Sequence, residues 1–295
     1  MTPPSPETPR PWIADACVCC GAQQLARSPA ILMPFLADRI FGWKPVAITS
    51  DWGLRTISPG MAYSLCNSVQ CQDCAHIFLD IRFTDSQMQS LYADYRGVEY
   101  TQLREHYEPG YAAQNERLNQ PIHYLESIEA FLTPLLPPRP RILDWGGDNG
   151  HNTPFQGRNS AHDVFDISDK PAIWGARRVG AEEMALNAYD LVVCSNVLEH
   201  TPYPLNILQD VAGTLRAESV LYLELPYENI LRLSDDDLQA HQHKKHWHEH
   251  INFFSRRSLT ALIERSGLRV LQAQETNVGT QGAPAFVFQL ACRLV

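Results

Sequence analysis

The tightest limit on what this chain can fold into is set by the run Arg141-Ile-Leu-Asp-Trp-Gly-Gly-Asp-Asn-Gly150. An apolar strand reaches Asp144, and a turn holding Gly146, Gly147 and Gly150 follows. Glycines adopt positive φ and let a ligand approach the backbone closely. In a mostly parallel sheet such a turn lies at the carboxyl ends of the strands, where nucleotides bind. The chain beyond Arg141 fits that sheet. Apolar runs at Ile142–Trp145, Val164–Ile167, Leu191–Ser195 and Val220–Leu225 read as strands, with Leu205–Leu215 as a helix between the last two. A helix over Ser258–Ser266, ended by Gly267, and strands near Arg269–Gln274 and Pro284–Cys292 follow. Strands alternating with helices place the chain in the α/β class, with both faces of a Rossmann-like sheet covered.

Composition removes several function classes. With 24 Lys+Arg against 33 Asp+Glu the formal charge is −9, and no strong basic run interrupts it, so no nucleic-acid partner is expected. The most apolar early stretch, Ala30 to Trp43, is broken by Pro34, Asp38 and Arg39, so no membrane span is expected. The Pro-rich stretch 1–12 lacks the apolar core of a signal peptide and reads as a flexible tail. A cytoplasmic location is the expectation. Thiols stay reduced there, so the eight cysteines point to metal ligation or buried packing before disulfides.

Six of those cysteines fall in a module expected over 13–80. Cys17 and Cys20 form one C-x-x-C pair and Cys71 and Cys74 another, each placing two thiolates on a tight turn. Two such turns brought together give the tetrahedral sulfur set that zinc prefers. A structural zinc is the expectation, because four thiolates leave no open position. Cys19 and Cys66 remain as substitutes for a neighbour. A helical linker or lid is expected over 81–138, with Met88, Leu91 and Tyr92 on one helix face and Ile122, Leu125, Ile128, Phe131 and Leu132 on another, the second stopping near Pro134. Tyr92, Tyr95, Tyr100, Tyr107 and Tyr111 in this region either pack helices together or close over a ligand. The catalytic domain is expected over 139–295.

Two further turns belong with the glycine turn. Val164-Phe165 ends in Asp166, a carboxylate able to accept both ribose hydroxyls of an adenosine. The run Tyr189-Asp-Leu-Val-Val-Cys-Ser-Asn-Val-Leu-Glu-His200 is a strand entering a polar turn at the same edge. With these three in order the chain resembles the class I S-adenosylmethionine-dependent methyltransferases, whose first motif reads D-x-G-x-G-x-G. Here Asp144, Gly146 and Gly150 match, Gly147 lies between, and Asp148 stands at the middle glycine. A dehydrogenase is the rival, but His151-Asn-Thr-Pro154 is a poor opening for the long helix it needs. The chain is similar, more narrowly, to the zinc-containing sugar C-methyltransferases of deoxysugar biosynthesis, which have a G-C-N-D-G turn. That similarity extends through Asn196–Tyr203, Glu224-Leu-Pro-Tyr227, Glu249-His250 and Phe254-Ser255. Two departures are a missing C-terminal domain and a short segment from Gly150 to Tyr189, which abbreviates the first two helices.

The resemblance implies S-adenosylmethionine over Asp144, Gly146, Gly147, Asp148, Gly150, Asp166 and Asn196. It also implies a small-molecule acceptor, sugar-like and nucleotide-linked or part of a polysaccharide or natural product, near Asn196–Tyr203 and Tyr227. His200 is the leading general base, against a structural reading in which Glu199 and His200 cap the following helix. A second mechanism has Glu199, His200 and His250 hold a divalent cation, a resemblance to small-RNA 2′-O-methyltransferases weakened by Asn196 in place of their first glutamate. The run Ala240–His250 holds five histidines; His241, His243 and His246 read as a solvated mobile loop, and His248 and His250 as neighbours of the acceptor. A scaffold protein with a decayed catalytic domain is the alternative from another class.

Overall fold

The computed structural model describes residues 12–53, 55–168, 170–233, 237–279 and 283–295. The tail expected over 1–12 lies outside the described residues except for Trp12. The chain opens with β1 (Leu25–Leu32) and α1 (Pro34–Phe41), which buries Phe35, Leu36, Ala37 and Ile40. A hairpin of β2 (Val46–Ile48) and β3 (Gly60–Ala62) follows, then β4 (Leu65–Cys71) and β5 (Ile77–Leu79). Four helices come next: α2 (Asp85–Tyr92), α3 (Val98–Tyr107), α4 (Tyr111–Leu118) and α5 (Leu125–Leu132). A Thr84–Gln87 capping box starts α2. A single 3-10 turn containing Pro134 ends α5, close to the stop that proline imposes.

The second half runs β6 (Arg141–Trp145), β7 (Ala161–Phe165), β8 (Arg177–Arg178), α6 (Ala181–Leu186), β9 (Leu191–Ser195), α7 (Pro204–Ala212) and β10 (Val220–Pro226). It continues through α8 (Asn229–Arg232), β11 (His246–Trp247), β12 (Asn252–Phe253), α9 (Arg256–Arg265), β13 (Leu268–Asn277) and β14 (Phe286–Leu294). Seven strands form one sheet in the order β13-β14-β10-β9-β6-β7-β8. The pairs β10–β9, β9–β6, β6–β7 and β7–β8 are parallel, and β14 runs against both neighbours. β6, β9 and β10 are almost wholly buried, which is why they read as continuous apolar runs rather than alternating ones. The α/β class expected from sequence is present. Between β6 and β7 there is no helix, only turns, and β8 has two residues, so the abbreviation expected after Gly150 is realised.

A second sheet, in the order β11-β1-β4-β5-β12, joins the two halves of the chain. Its centre is N-terminal, but both edges come from the segment after β10: β11 pairs parallel with β1, and β12 antiparallel with β5. The pairing crosses the division expected between 13–80 and 139–295. Polar side chains buried in the N-terminal strands receive this strap. Ser28 Oγ donates to the His241 carbonyl at 2.7 Å, Gln70 Nε2 to the Asp237 carbonyl at 2.7 Å, and Trp247 Nε1 to Ser68 Oγ at 2.9 Å. The expectation of a solvated loop therefore fails for His241, which is buried with Nδ1 3.1 Å from Gln70 Oε1; His243 and His246 are exposed. Trp247 is fully buried. Replacing it with alanine is expected to lower unfolding free energy by about 3–5 kcal/mol. Leu65→Ala, at a side chain 78% exposed, should change it by less than about 0.5 kcal/mol. Equal denaturation midpoints for the two variants would show that the strap contributes little to the fold.

Candidate active site

The glycine turn leaves β6 at the carboxyl edge of the seven-stranded sheet. Gly146 has φ 76°, and a Cβ on it would lie 2.4 Å from Val197 Cγ2. At Gly147 a Cβ would come within 2.3 Å of Asp144 Cγ. Only bare backbone passes between Val197 and Asp144. Asp144 is buried beneath the turn and accepts from Thr153 Oγ1, which is in turn 2.8 Å from His162 Nε2. Burial raises its pKa to about 7. The Gly150 N–H closes the turn on the Gly147 carbonyl at 2.8 Å.

Asp148 holds φ 54° where the motif has glycine, a conformation that aspartate tolerates better than most residues. Its N–H donates to Asp166 Oδ2 at 2.9 Å, and its carboxylate pairs with Lys170 Nζ at 2.9 Å. Asp166 Oδ1 also accepts the Ser168 N–H at 2.6 Å. The end of β7 and the glycine turn are thereby fixed to each other, with Asp148 paired to Lys170 and Asp166 held by two backbone donors.

Above the turn lies a cavity of about 930 Å³. Its lining includes Asp144, Gly146, Gly147, Asp148, Asp166, Asn196 and His200, so most of the residues singled out from sequence converge on one space. The opposite wall comes from the helical region through Met88, Tyr92, Tyr95, Arg96, Ile122 and Ile128. The tyrosines divide: Tyr92 and Tyr95 line the cavity, whereas Tyr100 and Tyr111 are buried packing residues and the Tyr107 hydroxyl bonds Asp38 on α1. Tyr227 is buried with its ring 4.0 Å from Phe288 and is not among the lining residues.

Around His200, ligand atoms of Glu199, His200 and His250 lie within 4.8 Å of one another, but only His200 lines the cavity; Glu199 and His250 are not among the lining residues. His200 Nδ1 is 3.1 Å from the Glu249 carbonyl, which can only accept, so Nδ1 carries the proton and Nε2 presents a lone pair. Burial, then the neighbouring His250, holds the His200 pKa well below its ordinary value. His250 Nδ1 is 3.2 Å from Glu228 Oε1. Burial works against its charged form, but the Glu228 hydrogen bond and the Glu199 charge outweigh it and raise the pKa. Glu199 is 1% exposed, neither of its oxygens has a hydrogen-bond partner, and burial pushes it up to about 7.

A family model described as a methyltransferase domain matches residues 111–273, more than half of the chain. The chain belongs to the methyltransferase domain family. It is an S-adenosylmethionine-dependent methyltransferase with a class I sheet. No curated protein matches it. Among solved structures it is similar to a Burkholderia thailandensis 1,6-didemethyltoxoflavin-N1-methyltransferase with bound 1,6-didemethyltoxoflavin and S-adenosylhomocysteine. That likeness has 15% identity and a TM-score of 0.46, over 67% of this chain and 90% of that one. An S-adenosylmethionine-dependent methyltransferase of Clostridium acetobutylicum is 11% identical with a TM-score of 0.43, over 62% and 97% of the two chains. At such identities the likeness concerns the fold alone.

The methyltransferase also brings its paired cysteines together. Cys17 Sγ lies 3.6 Å from Cys74 Sγ and Cys20 Sγ 3.5 Å from Cys71 Sγ, with all four sulfurs within 4.8 Å. Each pair sits on a knuckle closed by a left-handed residue, Gly21 (φ 81°) after Cys20 and Ala75 (φ 61°) after Cys74. Cys19 and Cys66 are buried outside the group. The knuckles are capped by the catalytic half: Arg265 Nη1 donates to the Cys19 carbonyl at 2.5 Å and Ser255 Oγ to the Cys74 carbonyl at 2.5 Å.

Two groups at this site gain a role only from the structure. Arg96 lies in a turn with no periodic signal. Glu224 is wholly buried and accepts from Tyr124, Tyr222, Gln289, Ser195 and Asn196 at 2.6–3.3 Å, which fixes the Ser195–Asn196 bend; the sequence marks it by the Glu224–Tyr227 resemblance and as a carboxylate inside an apolar strand, neither of which gives it this role. For the turn itself, Gly146→Ala is expected to weaken S-adenosylhomocysteine binding by about tenfold or more, through the Val197 clash and the positive φ. Gly180→Ala, where an added Cβ meets nothing within 4 Å, should leave the affinity within about twofold. Calorimetric titration of both variants decides it, and unchanged affinity in Gly146→Ala would place the cofactor elsewhere.

Proposed function

We propose that this methyltransferase acts on a small, sugar-like acceptor, with His200 Nε2 receiving the acceptor proton. The observation that carries this reading is the hydrogen bond from His200 Nδ1 to the Glu249 carbonyl, which puts the neutral ring's proton on Nδ1 and leaves the lone pair on Nε2, 3.8 Å from Glu199 Oε1, on a residue that lines the cavity. The cofactor supplies an electrophilic methyl group on a sulfonium whose leaving group departs neutral, so the protein's tasks are alignment, exclusion of water and proton removal. Gly146 to Asp148 form the cofactor's floor in this reading, and Asp166 faces the ribose. Tyr92 and Tyr95 give the acceptor aromatic faces of the kind on which sugar rings stack. The sugar class itself rests on the similarity of the Gly146–Gly150 turn and of the Glu249–Ser255 segment to sugar C-methyltransferases. Labelled cofactor with a pool of sugar nucleotides is expected to yield a labelled product. His200→Ala should lower that transfer by about 10²–10⁴-fold while leaving cofactor affinity unchanged. Cofactor binding with no transfer to any small molecule would support the scaffold alternative.

Zinc is assigned to Cys17, Cys20, Cys71 and Cys74. Zn–S bonds of about 2.3 Å in a tetrahedron set sulfur–sulfur edges of about 3.8 Å, and the observed 3.5 and 3.6 Å fit a closed site of that size. Its role is structural, because no ligand position is left open. Elemental analysis should find one zinc per chain, lost in Cys71→Ser together with much of the fold's stability; metal-free protein that is fully folded would refute the site. A second reading has Glu199, His200 and His250 hold a divalent cation, favoured by the two unpartnered oxygens of Glu199. A second metal equivalent, lost in Glu199→Gln while the first is kept, would replace the metal-free base with that mechanism.

A further inference from the structure

Arg96 lines the cavity and has no carboxylate partner among the described residues. It lies in the short turn between α2 and α3, where it holds φ 57° and Asp94 holds φ 51°. A left-handed arginine costs roughly 1 kcal/mol and persists only where its surroundings impose it. Here they do. Asp94 Oδ2 accepts the Glu99 N–H at 2.8 Å, the Gly97 N–H returns to the Asp94 carbonyl at 2.7 Å, and Asn115 Nδ2 donates to the Arg96 carbonyl at 3.1 Å. The turn delivers the guanidinium into the cavity, 4.9 Å from the Tyr95 ring centroid, with Nη1 on the Leu118 carbonyl at 3.2 Å. Its buried Nε has no hydrogen-bond partner, and no carboxylate lies within ion-pair distance of it among the described residues. A permanent cation that lines a ligand space and has no carboxylate partner among the described residues is suited to an oxyanion.

The position of Arg96 selects between the anions that space can hold. The Tyr95 ring carries Arg96 on one count and Lys170 Nζ, 5.2 Å from its centroid, on another, and Lys170 is paired with Asp148 of the glycine turn. The charge of Arg96 is felt at His151, the residue after Gly150, and also at His200, so the contacts through Tyr95 and Lys170 are what tie it to the glycine turn. Arg96 therefore faces the glycine turn, the floor of the cofactor site. We infer that Arg96 is the receptor for the carboxylate at the amino-acid end of the cofactor, a positioning residue that fixes the sulfonium's reach toward the acceptor. This rests on the cofactor reading of the Gly146–Gly150 turn.

The test compares two ligands that share the adenosine thioether and differ in the amino-acid end: S-adenosylhomocysteine, and methylthioadenosine, which lacks the carboxylate. By calorimetry the unmodified protein should prefer S-adenosylhomocysteine. Arg96→Met should lose about ten- to a hundredfold in affinity for it and keep its methylthioadenosine affinity, which also shows that the variant is folded. Arg96→Lys should recover part of the loss. Equal losses for both ligands would make Arg96 a structural residue and overturn the proposal. No loss for either would assign its charge to the acceptor instead, again overturning it. Failure of the unmodified protein to bind either ligand would remove the cofactor reading itself.

Discussion

The strap after β10 holds the rest of the structure together. Its two-residue strands His246–Trp247 and Asn252–Phe253 complete opposite edges of a sheet whose centre lies more than 150 positions earlier in the chain. The strap's far end is equally fixed. The Ile251 N–H donates to the Glu199 carbonyl at 2.7 Å, and Asn252 Nδ2 donates to the Leu198 and Thr201 carbonyls at 2.9 and 2.6 Å. One segment thus spans the cysteine knuckles, the N-terminal sheet and the turn that carries His200. Whatever disturbs the knuckles reaches the His200 turn through main-chain hydrogen bonds rather than through a flexible linker.

Three buried carboxylates at the sheet edge show how the site divides structure from chemistry. Glu224 has five donors, as a buried carboxylate must if it only supports its surroundings. Asp144 has Thr153 and serves as the anchor beneath the glycine turn. Glu199 has none, although it lies beside two imidazoles. A buried carboxylate without donors is costly. The fold retains it beside His200 and His250, and unsatisfied ionisable groups of this kind cluster at functional sites.

Most of the seven-stranded sheet was legible because its strands are buried on both faces. Leu191–Ser195 was read with the bounds it has, and Val220–Leu225 falls one residue short. β7 was read too late, from Val164, because His162 and Asp163 break the apolar run; both are buried, satisfied by Thr153 and by Arg177 and Tyr189. β11 and β12 were not legible at all. Two-residue strands leave no period, and their pairing depends on Ser28, Ser68 and Gln70, polar residues in positions that local reading assigns to solvent. At the site, spacing and residue type identified the groups on the strand ends, since those turns follow apolar runs. Arg96 escaped notice because its importance comes from a left-handed turn and from what it lacks, neither of which residue type records.

In the proposed reading, the cavity between the glycine turn and the Tyr92–Arg96 wall seats the methyl donor with its sulfur toward His200. A crystal structure of the protein soaked with S-adenosylhomocysteine tests it most directly. The account predicts the adenosine ribose at Asp166, the thioether over Gly146 and Gly147, and His200 Nε2 facing the vacant acceptor space. Density for the ligand outside this cavity, or with the sulfur turned away from the Asn196–His200 turn, would contradict it.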